Sequence, residues 1–377
     1  MKKKLFIVSA DEIILYQPTL LNLYSFLEET FDVTIISFEP EYLGKAKEEQ
    51  KKVVYIKFNS FQKGFFRICD LGFNAIAKRV NKYLFPFKRR SWCIRNYRAR
   101  LLAQELKRTD GGIYIAVDAM PLYVVQQGKG STHFLSLEII PGDRYMKMIK
   151  LDKILSVVIQ NTARYQYLFG DVQMPTFFIQ NAPMLNSQVI NKGLRKDLLW
   201  AGTVVKEFGV LNCFDLIAAY PQFNLVCKGA VEEKTGAIIE NKYAALISSG
   251  KVKLDNAYLP AADFVRYLSG FRIGLCFYDW ELIRTNFNYA TAPSGKLFMY
   301  LAAGVPVIAC NISSFKFIEE GGAGVLIDDY APATIAAAIE KIEADFENYS
   351  ANAYRAFEAN CFDTHAPAFR DQLLKNA

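Results

Sequence analysis

The chain alternates short β-branched apolar runs with segments of helical period, and it does so twice. "KLFIVS" (4–9), "DVTIISF" (32–38), "KVVYIKF" (52–58), "GIYIAVD" (112–118), "THFLSLEII" (132–140), "KILSVVIQN" (153–161) and "TFFIQNAP" (176–183) are strand-like. After the first of them, "PTLLNLYSFLEETF" sets Leu20, Leu23, Tyr24 and Leu27 at helical spacing, with Pro18 suited to a first turn. Apolar strands separated by helices belong to a parallel sheet covered on both faces. The pattern restarts near Asp197. "DLLWAGT", "FNLVCKG", "KVKLDNAYL", "RIGLCFYD", "VPVIAC" and "GVLIDD" are strand-like, and "KEFGVLNCFDLIAAY", the polar stretch 232–248, "PAADFVRYLSG" and "APATIAAAIEKI" are helix-like. The expected fold is α/β, with two Rossmann-like, doubly wound domains facing each other across a cleft. The expected division is 1–184, a polar linker over 185–196 ("MLNSQVINKGLRK" with its flanks), 197–350, and a helical tail over 351–377 able to cross back to the N-terminal domain. The two halves share a plan but no internal sequence repeat.

Composition narrows the function classes. With 377 residues, 52% hydrophobic and 22% charged, the chain is globular and long enough for two domains. No apolar run approaches the roughly 18 residues that span a bilayer. The start "MKKKLFIVSADEII" has an apolar core that stops at Val8 and is followed by Asp11 and Glu12, so it reads as a first strand of a cytoplasmic protein rather than a secretory leader. Seven cysteines are scattered without CxxC spacing, which suggests reduced core thiols, with neither a disulfide framework nor zinc. Only His133 and His365 are available for histidine chemistry, which excludes a histidine-rich metal site. No metal or other cofactor is expected.

The net charge of +7 is unevenly spread. "KRVNKYLFPFKRRSWCIRNYRAR" (78–100) holds nine Lys or Arg and no acid, interleaved with Tyr83, Phe85, Phe87, Trp92 and Tyr97. It suits a solvated helix face with buried aromatics, or a patch on the inner face of an anionic membrane. Nucleic acid is not expected, because no binding motif accompanies the patch.

The stretch "TAPSGKLFMYLAAGVPVIAC" (291–310) carries the chemistry. Pro293 can precede a helix, Ser294 can cap it, and Gly295 lets another group approach the backbone. The first turn then offers free N–H groups and the positive end of the dipole, to which Lys296 adds a full charge. Leu297, Tyr300 and Leu301 pack the helix on the sheet, and Gly304 and Pro306 stop it. A diphosphate fits this arrangement. An ordinary βα turn with a solvent lysine is the alternative.

"PSGKLFMYLAAGVPVIA" resembles the nucleotide-sugar loop and helix of GT-B-fold glycosyltransferases, in particular the bacterial polysaccharide enzymes grouped with family 4 and their relatives. "DLLWAGTVVKEFGVLNCFDLIAAYPQFNLVCKG" is similar to the opening of that family's nucleotide-binding domain, and "GAGVLIDDYAPATIAAAIEKI" to its closing strand and helix. "FIQNAP", with Asn181, resembles the interdomain segment, and "GIYIAVDAMPLYVV" with "HFLSLEII" the acceptor-domain pair. The resemblance is specific over about 197–343 and diffuse before it.

The resemblance implies a metal-independent, retaining transfer of a sugar from a nucleoside-diphosphate donor to a hydroxyl of a glycan or lipid-linked glycan, in cell-surface polysaccharide synthesis. It implies that Ser294, Gly295 and Lys296 hold the donor diphosphate, with Gly202, Thr203 and Lys206 in the loop after the first strand of the second domain. Lys206 would meet the growing charge of the leaving group. Asn286, Asn288 and Tyr289 in "RTNFNYATAP" are candidate ribose and sugar contacts. Asp118 and Glu138 are candidates to orient or deprotonate the acceptor hydroxyl. Lys228 stands where the family usually has a small residue near the base, and it also reads as a surface lysine.

Two departures stand out. Thr291 and Met299 occupy the places of the family's paired glutamates, and Leu137 that of its acceptor-domain histidine. A catalytically silent GT-B-like binding subunit that supports a partner transferase is therefore the alternative. A nicotinamide oxidoreductase lacks support, because no GxGxxG follows any strand. A nucleotide-sugar epimerase would need catalytic side chains not found here.

Overall fold

The computed structural model describes residues 2–10, 18–39, 51–57, 59–62, 64–69, 71, 92–109, 111–185, 195–257, 259 and 261–376. Residues 78–91 of the basic stretch and 186–194 of the expected linker lie outside them. The chain forms two compact units. The first comprises Met1–Ile159, Tyr165–Phe178 and Ala366–Ala377, and the second Gln160–Arg164 and Ile179–His365.

The first unit is built on a seven-stranded parallel sheet in the order β3-β2-β1-β4-β5-β6-β7. Its strands are β1 (Lys4–Val8), β2 (Asp32–Phe38), β3 (Val53–Ile56), β4 (Ile113–Val117), β5 (Ser131–Leu135), β6 (Ser156–Ile159) and β7 (Thr176–Phe178). Leu5 of β1 pairs with Val33 on one side and Ile113 on the other. Both faces of this central strand are covered, and Leu5, Ile7 and Val8 are fully buried. The C-terminal helix Phe362–Lys375 ends on this unit, where Phe369 meets the edge of His133 and Ser131 Oγ donates to the Asn376 carbonyl at 2.6 Å.

β5 is shorter than the apolar run 132–140 suggested. The Ser136 N–H still bonds to Val158 on β6. The next two N–H groups, of Leu137 and Glu138, turn instead to Asp118 Oδ1 at 2.8 and 2.9 Å. A carboxylate thus ends the strand.

The second unit holds a six-stranded parallel sheet in the order β10-β9-β8-β11-β12-β13. Its strands are β8 (Lys196–Ala201), β9 (Leu225–Lys228), β10 (Val252–Asp255), β11 (Phe271–Cys276), β12 (Val307–Cys310) and β13 (Gly324–Ile327). Alternation along β8 sends Leu199 and Ala201 into one apolar layer and Leu198 and Trp200 into the other. The helices Gly295–Ala302 and Phe346–Asn360 belong to the first layer, Val210–Ala219 and Pro332–Glu343 to the second. Ile335, Ile339 and Ile342 form the buried stripe that their spacing indicates. The polar stretch 232–248 is two helices, Glu233–Lys242 and Ala244–Ser248. Among the described residues no helix is long and apolar enough to cross a membrane.

Candidate functional site

In an open parallel sheet the strand order reverses at one point, and ligands bind beyond the carboxyl ends of the strands there. In the second unit that point lies between β8 and β11. Their register runs from Phe271 opposite Lys196 to Gly274 opposite Leu199. Beyond it the strands part, and the Tyr300 hydroxyl enters. It accepts the Ala201 N–H at 2.6 Å and lies 3.3 and 3.4 Å from the Leu199 and Leu275 carbonyls. Gly274 makes room for the ring, since a Cβ there would stand 2.7 Å from it. Tyr300 belongs to the helix Gly295–Ala302, which turns at Gly304 (φ 61°) into β12. A helix that feeds a strand in this way begins at the carboxyl edge of the sheet.

Lys296, in the first turn of that helix, places Nζ 3.6 Å from the centre of the Trp200 ring and 5.8 Å from that of Tyr278. Its surroundings include the thiols of Cys276, Cys213 and Cys310, and burial lowers its pKa from the usual lysine value. Among the described residues no carboxylate lies within ion-pair distance of it. Ser294 occupies the N-cap position with extended backbone, but its side chain makes no capping bond. The cap expected from the sequence is not made. Gly295 lies close to Asn181: a Cβ would come within 2.8 Å of its Nδ2, so that side chain would have to shift.

The loop after β8 is drawn to the same indole. Trp200 Nε1 donates to the Thr203 carbonyl at 3.4 Å. Gly202 (φ 105°) donates its N–H to Lys228 O at 2.9 Å, and Val204 donates to Ala230 O at 2.8 Å, so the loops after β8 and β9 run backbone to backbone. A Cβ on Gly229 (φ 149°) would lie 2.3 Å from the Gly202 carbonyl. Lys206 opens the short turn Lys206–Phe208 and is half exposed, with Glu207 3.9 Å away. Phe208 from that turn, Tyr278 after β11 and Tyr289 form one aromatic group, with centroids 5.0–6.0 Å apart.

The remaining polar residues of the 284–293 stretch bond within the unit. Asn286 caps the short helix Phe287–Thr291 by accepting the Asn288 N–H. Asn288 Oδ1 and Thr291 Oγ1 accept from Arg164 at 3.1 and 3.3 Å. Met299 packs against the apolar layer. Lys228 is not a surface lysine. It is 4% exposed, pairs with Asp255 at 2.8 Å, donates to Ala257 O at 2.6 Å and sits over the Tyr267 ring.

In the first unit the order reverses between β1 and β4. A cavity of about 260 Å³ there is lined by Arg95, Arg98, Asp118, Ser136, Glu138 and Asp143, among others. Asp118 sits at φ 62°, a left-handed conformation uncommon for a residue with a side chain. Its Oδ1 holds the loop after β5, while Glu138 is exposed at the cavity. Asp143 takes a 2.6 Å ion pair from Arg95. His133 is fully buried, bonds Ser156 Oγ at 2.7 Å, and desolvation lowers its pKa to about 4. It is therefore neutral near pH 7. Among the described residues no group of His, Cys, Asp and Glu is arranged to hold a metal.

No protein-family model matches the chain, and no curated protein matches it in sequence. Solved structures do match in shape. A trehalose-6-phosphate structure from E. coli bound with UDP-2-fluoro glucose superposes with a TM-score of 0.68 over 98% of both chains at 12% identity. An α,α-trehalose-phosphate synthase (UDP-forming) from Burkholderia vietnamiensis gives 0.67, over 99% of this chain and 100% of its own, at 11% identity. The N-terminal domain of Candida albicans trehalose-6-phosphate phosphatase gives 0.65, over 100% and 97%, at 12% identity. This chain has the GT-B fold.

Within this GT-B chain, Trp200 and Tyr278 tie Thr203, Tyr289 and Lys296 into one neighbourhood, with Ser294 at the start of the Lys296 helix, while Asp118 and Glu138 belong to the first unit. Arg164 is the polar residue that sequence reading missed. It is fully buried and reaches residues 124 and 127 positions away. Asn161, which donates to the Thr291 carbonyl at 2.6 Å, accompanies it. No local pattern in "QNTARYQ" signals such contacts.

Proposed function

We propose that this GT-B chain is a metal-independent, retaining glycosyltransferase that moves a sugar from a nucleoside-diphosphate donor to a hydroxyl of a glycan or lipid-linked glycan. The observation that carries the reading is Lys296. An ammonium held against an indole, without a carboxylate, at the first turn of a helix and beside the reversal point of its sheet, is a ready partner for a diphosphate. The three N–H donors of a lysine let it stay on the ring while bonding a phosphate oxygen. Lys206, half exposed after β8, supplies a second charge as the leaving group departs. Glu138 orients the acceptor hydroxyl. Asp118 supports it by holding the loop on which it stands.

The solved structures support the donor class, since the E. coli one was bound with a UDP-sugar analogue. Another, of a trehalose-6-phosphate synthase, was determined to study glycosyl transfer with retention. Family 4 and a role in cell-surface polysaccharide synthesis rest on the sequence resemblance. A place on the inner face of the membrane, where a lipid-linked acceptor would be reached, rests on the basic, aromatic stretch 78–100.

A silent binding subunit is the second reading, favoured by Leu137, Thr291 and Met299 at positions where the family carries catalytic side chains. Titration calorimetry and thermal shift with UDP, GDP, CDP and TDP and their sugars separate the two. One nucleoside diphosphate should bind and raise the melting temperature. Lys296→Met should weaken its binding by about 10- to 100-fold, the worth of a charge-assisted contact, without lowering stability. Binding with no turnover of any donor favours the silent subunit. Absence of binding by every nucleotide removes both.

A further inference from the structure

One helical face of the first unit carries large apolar side chains into solvent. Residues 60–62, 64–69 and 71 are helical. Phe66 stacks on Tyr97 at 4.6 Å with 28° between the rings, which fixes one side of this segment to the helix Trp92–Leu106. Phe61, Phe65, Ile68 and Leu71 are 82%, 56%, 69% and 69% exposed. In the sequence they recur at i, i+4, i+7 and i+10, the spacing of one helical face. Single exposed apolar residues are ordinary, but four in one stripe form a patch that normally has a partner.

Charge identifies the partner. From Lys51 to Arg100 the sequence carries fourteen Lys or Arg against a single acid, Asp70. Among them, Lys57, Arg67 and Arg100 are exposed. A second copy of this chain would bring like charge against like charge. A nucleic acid would match the charge but leave the Ile and Leu side chains without a suitable surface. An anionic bilayer meets both demands, taking the apolar stripe at the boundary of headgroups and acyl chains and the cations at the phosphates.

We infer that the 60–71 face docks on an anionic lipid bilayer, with Phe61, Phe65, Ile68 and Leu71 entering the interface. The inference rests on the membrane placement in the proposed function, extends it from the 78–100 stretch to the 60–71 face, and requires no donor chemistry.

Co-sedimentation of the full chain with vesicles tests it. The wild type should bind vesicles of phosphatidylcholine mixed with phosphatidylglycerol, and bind phosphatidylcholine alone far less. The double variant Phe61→Ser, Phe65→Ser should lose at least about tenfold in vesicle affinity. Because both rings are exposed, its melting temperature and nucleotide-induced shift should stay at the wild-type values. A Phe65→Trp variant should show a blue shift of its added emission on binding. Undiminished binding of the double variant, or no spectral change with Phe65→Trp, overturns the inference. So does a wild-type dimer in sedimentation that the double variant dissolves while vesicle binding persists. Failure of glycosyl transfer would leave all of these readouts intact.

Discussion

The carboxyl edges of the two sheets hold their charges differently. In the first unit Glu138 is exposed, but the charged groups around it are bonded inward. Asp118 takes two backbone N–H groups, Arg95 is paired with Asp143 at 2.6 Å, and Arg98 reaches the Ala10 carbonyl at 3.4 Å. In the second unit Lys228 is also paired, but among the described residues Lys296 lies against aromatic rings and thiols with no ion pair, and Lys206 stands half exposed. A charge with partners in the fold stabilises the fold. A charge that is desolvated without a counter-charge gains most when an anion arrives. Under the proposed function, the contrast assigns the main binding energy to the second edge and structural support to the first.

Breaking the second edge should have the largest effect. Gly229→Ala forces a Cβ to 2.3 Å from the Gly202 carbonyl at a φ of 149°. The clash is with backbone, so the loops after β8 and β9 must separate. We expect a loss of about 3 kcal/mol or more, or roughly 6–12 °C in melting temperature, with donor binding abolished. A variant with wild-type melting and binding would show that this backbone approach does not shape the site.

The first unit should be the one that acid destabilises. Folding lowers the His133 pKa from 6.5 to about 4. Above 6.5 the ring is neutral in both states and its burial costs nothing in protonation. As pH falls from 6.5 toward about 4, the unfolded chain takes up a proton that the folded chain refuses. Stability is lost through that window, by about 3 kcal/mol in all. Urea unfolding between pH 4 and 8 checks it: His133→Gln should flatten the slope. An unchanged slope would place the acid sensitivity elsewhere.

Asp118 tests whether the first edge supports or reacts. Asp118→Ala leaves the Leu137 and Glu138 N–H groups without their acceptor, for about 2 kcal/mol. Asp118→Asn keeps an Oδ1 acceptor and should cost about 1 kcal/mol or less, with transfer within about threefold of wild type. If Asp118→Asn folds normally yet loses transfer, Asp118 is a catalytic base and the contrast between the edges is wrong.

What could be read from the sequence follows the range of the interactions. Strand and helix alternation is local, so both parallel sheets and the stop at Gly304 were visible. The helix start at 295 was also visible, although Ser294 makes no capping bond there. β5 was overread because its apolar run continues past the point where Asp118, from the neighbouring strand, takes over its N–H groups. Lys228 looked like a surface residue because its counter-charge Asp255 stands on the next strand of the sheet. Arg164 gave no signal at all, since its acceptors are more than a hundred residues away. Gly202 and Gly229 were visible as glycines beside strand ends and Gly295 as one at a helix start, but that the first two approach each other and the third Asn181 required the fold.

Lys206 should show the smallest effect and the sharpest distinction. Its side chain is half exposed, so Lys206→Ala should leave the stability of the free protein within about 0.5 kcal/mol. Donor binding should weaken by about three- to tenfold at low salt. Salt then separates the two lysines. From about 0.1 to about 1 M the Debye length falls from about 10 to about 3 Å, which screens an exposed charge far more than a covered one. The loss caused by Lys206→Ala should therefore shrink toward nothing as salt rises, while that caused by Lys296→Met persists. If both losses fade together, Lys296 acts as a solvent-screened charge and its cover of Trp200 and Tyr278 adds nothing. If neither fades, the turn at 206–208 closes over the bound diphosphate, and the two lysines work as one buried pair.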